Sequence, residues 1–568
     1  MRIDFRRLDA AREGRSELEN HYIDELVAGR LGRREFLRRG AALGMSAGVM
    51  GAVLSACGGA NKTGGGGASS TAASTGTSTA PATKGGTLKL ASQVPSGAVN
   101  PLTVSDAGGL CMLAMTGEFL TYDNNQALQL QPMLATSWKA SAGGKVWTFK
   151  IRPGVKFHDG SALTADDVVW TIQQLADKKN ASNALSTFEG VITPAGVRKV
   201  DSHTVEFHLE AANGNFPYLV SSDNYNAIIV PKGTDWGKWQ KSFVGTGPFK
   251  LGSYTQNQGA TFTANPDYWG GKPNIDSAVF SFYTSQAPQI TALSSGNVDV
   301  IVQFVAQGAQ ALTNSSTYNI IKLKSSNHRE LSMRCDQAPF NDPRVREAVA
   351  LSLDRPAMVN ALLQGLGQVG NDSPFAPKFP STDTSVPQRV QNISKAKQLL
   401  SAAGHSHISA TLFTEQYEEI PALAQVIQQS ASKIGVDIKL KVETQTAYYG
   451  KATYGNSDWL DGTMSLVDYG DRGVPNVFLE APLTSGGPWN AAHFKNTQYD
   501  NLVKQYVAAV DLSTQKSIAG KIERLLLAQT PLVIPYFIDG LCATTKKVSG
   551  VQPTSISQIF LHKASVSA

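Results

Sequence analysis

Residues 394–442 read SKAKQLLSAAGHSHISATLFTEQYEEIPALAQVIQQSASKIGVDIKLKV, and this stretch decides the fold class. Apolar residues recur at helical spacing up to Gly404 and alternate in Ile408–Phe413. They then recur at helical spacing over 420–433 and alternate again in Val436–Val442. This order of helix, strand, helix and strand predicts an α/β domain with at least one right-handed crossover between parallel strands.

Further elements are predicted on both sides of this stretch. Asp342 caps a helix that begins with Pro343, a second helix runs from about Pro356 to Gln364, and Pro531–Phe537 is a late strand that returns to an earlier sheet. The amino-terminal half predicts strands at Thr87–Ala91 and Trp147–Ile151, a capping box of Thr164 and Asp167, and a hairpin over Val200–Leu209.

Composition describes a large globular chain. Its 568 residues are enough for several domains, and 42% hydrophobic against 17% charged residues excludes a disordered chain or an extended coiled coil. The net charge is +6, and beyond residue 57 the 41 basic residues nearly balance the 37 acidic ones. No basic run occurs outside the amino terminus, so nucleic acid is not expected as a partner.

The first 57 residues resemble an export signal. Paired Arg33 and Arg34 precede a weakly apolar stretch, Gly40–Ala56, whose 17 residues are too short for a typical membrane span. The paired arginines resemble a twin-arginine signal, and Leu54–Cys57 resembles a lipobox. We therefore expect cleavage before Cys57, lipidation of its thiol and anchoring to a membrane; a short buried helix is the alternative for the apolar stretch.

Residues 58–84 predict a flexible linker, because 23 of these 27 residues are Gly, Ser, Thr or Ala and offer little to bury. Beyond Cys57, three cysteines remain at Cys111, Cys335 and Cys542, so at most one disulfide can form within the chain. No cysteine and histidine spacing typical of zinc occurs, and no metal or cofactor is expected.

Three patterns that suggest chemistry have simpler interpretations. Gly365–Gly370 matches GxGxxG but follows a helix rather than a strand, so a nucleotide site is not expected. His405 and His407 sit in a predicted loop with no third ligand nearby, and His158 beside Asp159 lies in a turn. Since no nucleophile elbow, metalloprotease motif or P-loop is present either, the sequence predicts a protein that is not an enzyme.

Several segments, in order along the chain, resemble the solute-binding proteins of family 5, the peptide, opine and nickel type. The matching segments are Gly85–Leu88, Pro132–Ala135, Ser137–Trp138, Trp147–Val168, Val244–Phe249, Asn265–Trp269, Pro339–Arg346 and Leu353–Arg355. The resemblance covers roughly residues 85–550. It implies that most of these segments, Trp147–Val168 in particular, are scaffold rather than ligand contacts.

The resemblance implies a two-lobed periplasmic-binding-protein fold of the cluster C type, with an extra subdomain inserted in lobe I. Lobe I would comprise 85–120, 245–327 and 534–568, the inserted subdomain 121–244, and lobe II 328–533. These limits agree with the independent prediction of alternating helices and strands in lobe II.

The resemblance also implies a function. The chain would be an extracytoplasmic, lipid-anchored and monomeric receptor that captures a solute between closing lobes and delivers it to the permease of an ABC importer. The chain would cross between the lobes near Arg329–Asp336 and Thr530–Tyr536. A di- or oligopeptide is the expected ligand; an oligosaccharide, a nickel chelate, another amine, or a sensor or chaperone role stays open.

Residues 467–475 resemble the Asp-Tyr motif that receives the ligand's α-ammonium in peptide-binding members of the family. Asp468 is the candidate for this salt bridge, with a loop cap as the alternative. Arg472 departs from the expected pattern and would neutralise Asp468 or bind a ligand carboxylate. The candidate aromatic walls are Trp459, Tyr469 and Trp489, each with core packing as its alternative.

Overall fold

The computed structural model describes residues 84–123, 128–450 and 452–567. The predicted export signal, the lipidation site at Cys57 and the linker up to residue 83 lie outside the described residues. In the described part, no helix has both the length and the apolar content needed to cross a membrane.

Twenty-four strands are numbered along the described chain. They are β1 (Thr87–Gln93), β2 (Thr121–Asp123), β3 (Leu130–Pro132), β4 (Ala135–Ser141), β5 (Val146–Ile151), β6 (Val197–Asp201), β7 (Thr204–His208), β8 (Phe249–Thr255), β9 (Gly259–Ala264), β10 (Ser277–Tyr283), β11 (Val300–Phe304), β12 (Tyr318–Leu323), β13 (His328–Met333), β14 (Gly367–Val369), β15 (Ile408–Glu415), β16 (Val436–Glu443), β17 (Met464–Tyr469), β18 (Leu532–Val533), β19 (Tyr536–Ile538), β20 (Gly540–Thr545), β21 (Val548–Ser549), β22 (Gln552–Pro553), β23 (Ile559–Phe560) and β24 (Ser565–Val566).

Sixteen α-helices accompany the strands in the described residues. They are α1 (Ala107–Thr116), α2 (Ala165–Ala176), α3 (Leu185–Phe188), α4 (Phe216–Leu219), α5 (Trp236–Trp239), α6 (Gln286–Ser294), α7 (Gln310–Thr313), α8 (Pro343–Leu351), α9 (Arg355–Leu363), α10 (Ile393–Ala402), α11 (Ile420–Ser432), α12 (Gln445–Tyr449), α13 (Asp458–Asp461), α14 (Asn476–Glu480), α15 (Thr497–Ala508) and α16 (Leu512–Gln529).

The first large sheet, with the order β12-β20-β11-β1-β10-β9-β8, forms the core of what we call the first lobe. Strand β1 pairs in parallel with both β10 and β11, whereas β20 comes from near the end of the chain and pairs antiparallel with β11. Helix α1 packs on this sheet, and its Cys111 joins Cys542 in one buried core. Both of these cysteines and Cys335 are free thiols.

The second large sheet, with the order β14-β19-β13-β17-β15-β16 and β18 added on β13, forms the core of the second lobe. Strands β15 and β16 pair in parallel and are joined by α11, which confirms the crossover expected from residues 394–442. Asp342 caps α8, as predicted, by accepting a hydrogen bond from the backbone of Arg344. The alternation in the sequence thus places the parallel strands of this lobe correctly.

A four-stranded antiparallel sheet, β4-β5-β7-β6, with α2 packed against it, forms a separate small core; we call it the four-stranded unit. Thr164 and Asp167 form the predicted capping box at the start of α2. The predicted hairpin is present as β6 and β7. The unit lies between β3 and β8 in the chain, as expected for an insertion, while its exact limits stay a prediction.

The chain crosses between the two large sheets twice. It leaves β12 and enters β13 through residues 324–327, and it returns from β19 to β20 through Asp539. The crossings expected at Arg329–Asp336 and Thr530–Tyr536 are therefore wrong by a few residues, because strands of the second sheet extend into those ranges. For the same reason, residues 536–538 belong to the second sheet although the predicted boundary at 534 gave them to the first lobe.

Both sheets turn the carboxyl ends of their parallel strands toward these crossings. In the first sheet, Phe304 at the end of β11 pairs with Leu541 at the start of β20. In the second sheet, Tyr469 at the end of β17 pairs with His328 at the start of β13. Because ligands of open α/β sheets bind beyond the carboxyl ends of strands, this edge is where a site is expected.

Candidate functional site

Two carboxylates lie side by side at this edge of the second sheet. Glu415 is the last residue of β15, and Asp468 is the penultimate residue of the parallel neighbour β17. The Tyr449 hydroxyl donates a hydrogen bond to Glu415 Oε1 at 2.6 Å and lies 3.1 Å from Asp468 Oδ1. A hydroxyl has one proton to donate, so Tyr449 cannot satisfy both carboxylates at once.

The pair does not carry two full charges near neutral pH. Burial, partly offset by the Tyr449 hydrogen bond and reinforced by the charge of Asp468, raises the pKa of Glu415 to about 7. The side-chain amide of Gln445 donates to Glu415 Oε2 at 2.7 Å and holds the carboxyl in place. The Glu415 carboxyl group therefore ionises readily when a cation arrives.

An ion pair lies beside these carboxylates. Arg329, which faces Asp468 across the pairing of β13 and β17, is only 1% exposed. Its Nε donates to Glu419 at 2.8 Å, its Nη2 donates to Glu418 at 2.7 Å, and its Nη1 donates to Asn327 at 3.3 Å. Glu418 and Glu419 thus engage the same guanidinium, and most of its N–H groups already have an acceptor.

A cavity opens between the two lobes beside Glu418 and Glu419; Glu415, Tyr449 and Asp468 are not among the residues that line it. It measures about 720 Å³ counted out to solvent, and residues from both lobes and both crossings line it, including Gln303, Asn327, Tyr417, Glu418 and Asp539. Glu418 adopts φ of 41°, a left-handed conformation that costs a non-glycine residue free energy and that its ion pair with Arg329 helps to hold. The cavity is a cleft between lobes with an acidic wall.

The three candidate aromatic residues lie in different surroundings. Trp459 is 9% exposed and packs edge-on against Tyr449, with ring centroids 5.1 Å apart, so it supports the residue that contacts both carboxylates. Tyr469 points to the opposite face of β17 from Asp468, into the core, where it stacks on His328 at 5.4 Å. Trp489 is half-buried and lies against Tyr469 at 6.1 Å. The structure therefore brings only Trp459 near Asp468.

Arg472 lies away from Asp468. Its Nη1 donates to the backbone carbonyl of Asp471 at 2.9 Å, and it makes no ion pair with Asp468 among the described residues. It lines a different cavity, of about 590 Å³, between the second lobe and residues such as Tyr218 and Asn224 that follow β7. The contact with Asp468 that was one of the two expectations for Arg472 is therefore not found among the described residues, and binding of a ligand carboxylate by Arg472 stays a prediction.

The neighbouring Asp471 is a structural carboxylate. It accepts hydrogen bonds from Lys378 Nζ at 2.9 Å, from Ser326 Oγ at 2.7 Å and from the Ser555 hydroxyl. Burial raises the pKa of Asp471, but the Lys378 ammonium and these hydrogen bonds outweigh burial and hold that pKa below its usual value. Asp471 thus fixes the loop after β17 to a crossing segment and to the first lobe.

The remaining patterns have structural roles. His158 Nε2 donates to the backbone carbonyl of Gly247 at 2.9 Å, and Gly367 and Val369 lie in the short strand β14 rather than in a nucleotide loop. His407 contacts Asp437 at an exposed position, 3.5 Å away. No group of three or more metal-ligating side chains that could hold a metal ion is found in residues 84–123, 128–450 and 452–567.

Two of the segments that carry the resemblance meet at one buried carboxyl group, Glu118. It accepts hydrogen bonds from Thr246 Oγ1 at 2.7 Å, from Tyr268 Oη at 2.7 Å and from Trp269 Nε1 at 2.8 Å. Burial, opposed by these three donors, raises its pKa to about 7. These segments therefore stabilise the first lobe, in line with the scaffold role expected for most of them.

Glu415, Tyr449 and Arg329 were not among the candidates from the sequence. Glu415 follows directly on the apolar alternation of Ile408–Phe413, so the rule that sites form beyond parallel strands points to it. Tyr449 and Arg329 give no such signal, because a short helix and an antiparallel register bring them to the site.

Comparisons with known proteins agree with this architecture. The family "Bacterial extracellular solute-binding proteins, family 5 Middle" matches residues 129–489. The oligopeptide-binding protein AppA of Bacillus subtilis is 27% identical over 501 residues, covering 82% of this chain and 89% of AppA. Heme-binding protein A of Haemophilus influenzae is 26% identical over 451 residues, covering 74% of this chain and 81% of that protein.

Solved structures share the fold. HbpA2 from Haemophilus parasuis superposes with a TM-score of 0.76 at 22% identity, covering 85% of this chain and all of that chain. This likeness confirms the predicted α/β periplasmic-binding-protein fold of the cluster C type. The chain therefore belongs to the bacterial extracellular solute-binding proteins of family 5, the non-enzymatic solute-binding components of ABC transporters.

Proposed function

We propose that this protein captures a di- or oligopeptide in the cleft between its two lobes, with the peptide's α-ammonium held by Asp468 and Glu415. The observation that carries this proposal is the pair of carboxylates at the carboxyl edge of the second sheet, with a single hydroxyl between them. A cation is the partner that such a pair lacks, because Arg329 is already engaged with Glu418 and Glu419.

The cleft suits a peptide in size and chemistry. Its lining offers backbone and amide groups from both lobes, such as Gln303 and Asn327, for hydrogen bonds to an extended main chain. A buried ammonium–carboxylate contact together with several such bonds supplies the roughly 8 kcal/mol of a micromolar complex. Contacts to both lobes favour the closed state, which is the only source of free energy for closure.

We propose delivery of the peptide to the permease of an ABC importer, as the resemblance implies. The paired arginines before residue 40 and the lipobox ending at Cys57 support export followed by lipid anchoring at the outer face of the cytoplasmic membrane. The linker of residues 58–84 gives a monomeric receptor a reach of roughly 30 Å from the bilayer.

A thermal-shift screen with peptides, oligosaccharides, heme and a nickel–histidine chelate tests the ligand class. We expect peptides to raise the melting temperature, and a rise with any other class but none with peptides contradicts the proposal. Asp468→Ala should then remove the shift given by peptides. The matched control is Asp437→Ala, which removes an exposed carboxylate at the other end of the same sheet and should leave the shift unchanged.

A further inference from the structure

The chain that follows the four-stranded unit makes direct hydrogen bonds to the second lobe, although it belongs to the first lobe's side of the cleft. The contact is made by Gly214 and Asn215, which directly precede α4. Their partners lie in α14, α15 and α16. None of these residues lies in either crossing segment.

Asn215 is the centre of this contact. Its side chain is 4% exposed, and its Nδ2 donates to Asn476 Oδ1 at 2.9 Å while its Oδ1 accepts from Gln515 Nε2 at 2.9 Å. Gln515 Nε2 also donates to the backbone carbonyl of Ala509 at 2.9 Å. The nitrogen and the oxygen of the Asn215 side-chain amide therefore both hydrogen-bond to the second lobe. A contact made by backbone groups alone would not need this side chain.

The backbone of Gly214 approaches the second lobe just as closely. Its N–H donates to the carbonyl of Val507 at 2.8 Å. A Cβ atom at Gly214 would lie 1.8 Å from the carbonyl oxygen of Ala509, a distance at which the two segments must move apart. Only a residue without a side chain allows this contact.

Opening of the cleft must break this contact. The polypeptide chain connects the two large sheets only at residues 324–327 and at Asp539 among the described residues, so rotation about these crossings separates pairs that lie elsewhere. The contacts of Asp471 with Ser326 lie at a crossing and are compatible with rotation. The contacts of Asn215 with Asn476 and Gln515 lie away from both crossings, so this rotation breaks them.

We propose that Gly214 and Asn215 form a clasp that stabilises the closed lobes independently of the solute, with Asn215 as its positioning residue. The clasp raises the population of the closed state before binding. The apparent affinity for any solute rises in proportion to that population. The inference does not depend on which solute binds.

Small-angle X-ray scattering of the solute-free protein tests the clasp. Asn215→Ala should increase the radius of gyration relative to wild type and weaken solute affinity about tenfold, the equivalent of two neutral hydrogen bonds. Gln515→Ala should do the same, and the double variant should add little because the two residues act through one contact. Gly214→Ala should open the lobes through steric contact.

The controls separate the clasp from a general loss of stability. Asn180→Ala removes hydrogen bonds to Gln174 within the first lobe's side, so it should lower the melting temperature without changing the radius of gyration. Gly97→Ala places its Cβ in open space and should change neither quantity. The proposal is overturned if neither Gln515→Ala nor Gly214→Ala changes the radius of gyration. It is also overturned if the solute-free wild type is already as extended as these variants.

Discussion

At the scale of single residues, the proposed site depends on a carboxylate whose charge responds to its surroundings. Asp468 was predictable because it follows apolar residues and precedes a tyrosine, in a segment that resembles the Asp-Tyr motif of peptide-binding members of the family. Glu415 was not predicted, since its raised pKa comes from burial and from the nearby charge of Asp468, a proximity created by tertiary structure. Tyr469 is the opposite case, a residue that was predicted for the site but packs in the core. Successive residues of a strand point to opposite faces, so Asp468 and Tyr469 cannot both line one cleft.

The pKa of Glu415 predicts how affinity depends on pH. Burial raises this pKa to about 7, so below pH 7 Glu415 is protonated, and binding of an ammonium group requires release of that proton. Affinity for a peptide should therefore rise about tenfold between pH 5.5 and 7.5, a range in which a terminal amino group stays mostly charged. Isothermal titration calorimetry at several pH values measures this.

Glu415→Gln serves as the control for the pH dependence. The variant should flatten the rise, because it removes the titrating group and keeps an acceptor for Tyr449. If peptide affinity still rises with pH in this variant, a group other than Glu415 titrates.

At the scale of elements, hydrophobic periodicity was sufficient for the helices and strands of the second lobe, including α8, α11, β15 and β16. Capping residues gave the starts of α2 and α8 because those signals are local. The crossings were misplaced by a few residues because hydrogen bonding between β13 and β17 continues a strand beyond what apolar content indicates. The two sheet edges that form the cleft depend on pairing between distant segments, which no local pattern encodes.

The contacts of Glu118 predict a large effect on stability. Glu118→Ala leaves buried donors on Thr246, Tyr268 and Trp269 without their acceptor and should lower the free energy of unfolding by about 3 kcal/mol or more. Chemical denaturation measures this change. Peptide affinity, measured where the variant is folded, should stay at the wild-type value, and a selective loss of affinity would instead place Glu118 in ligand binding.

At the scale of the whole molecule, two sheets present their carboxyl edges to a common cleft, and two crossings permit the lobes to move about it. The resemblance gave this architecture, and composition alone gave only a globular chain. The clasp adds a second contact between the lobes, formed by the residue pairs Asn215–Asn476 and Asn215–Gln515, whose members are hundreds of positions apart in sequence. No local sequence pattern encodes such contacts.

The most direct test of the central claim compares one tripeptide with a free amino terminus against the same tripeptide after N-acetylation, by calorimetry at pH 7.5. Acetylation removes the positive charge and leaves the main chain and side chains intact. We expect it to weaken binding by about 100-fold or more, because Asp468 and Glu415 then lie buried without their cation. Equal affinity for the two peptides would contradict capture of the α-ammonium by this pair.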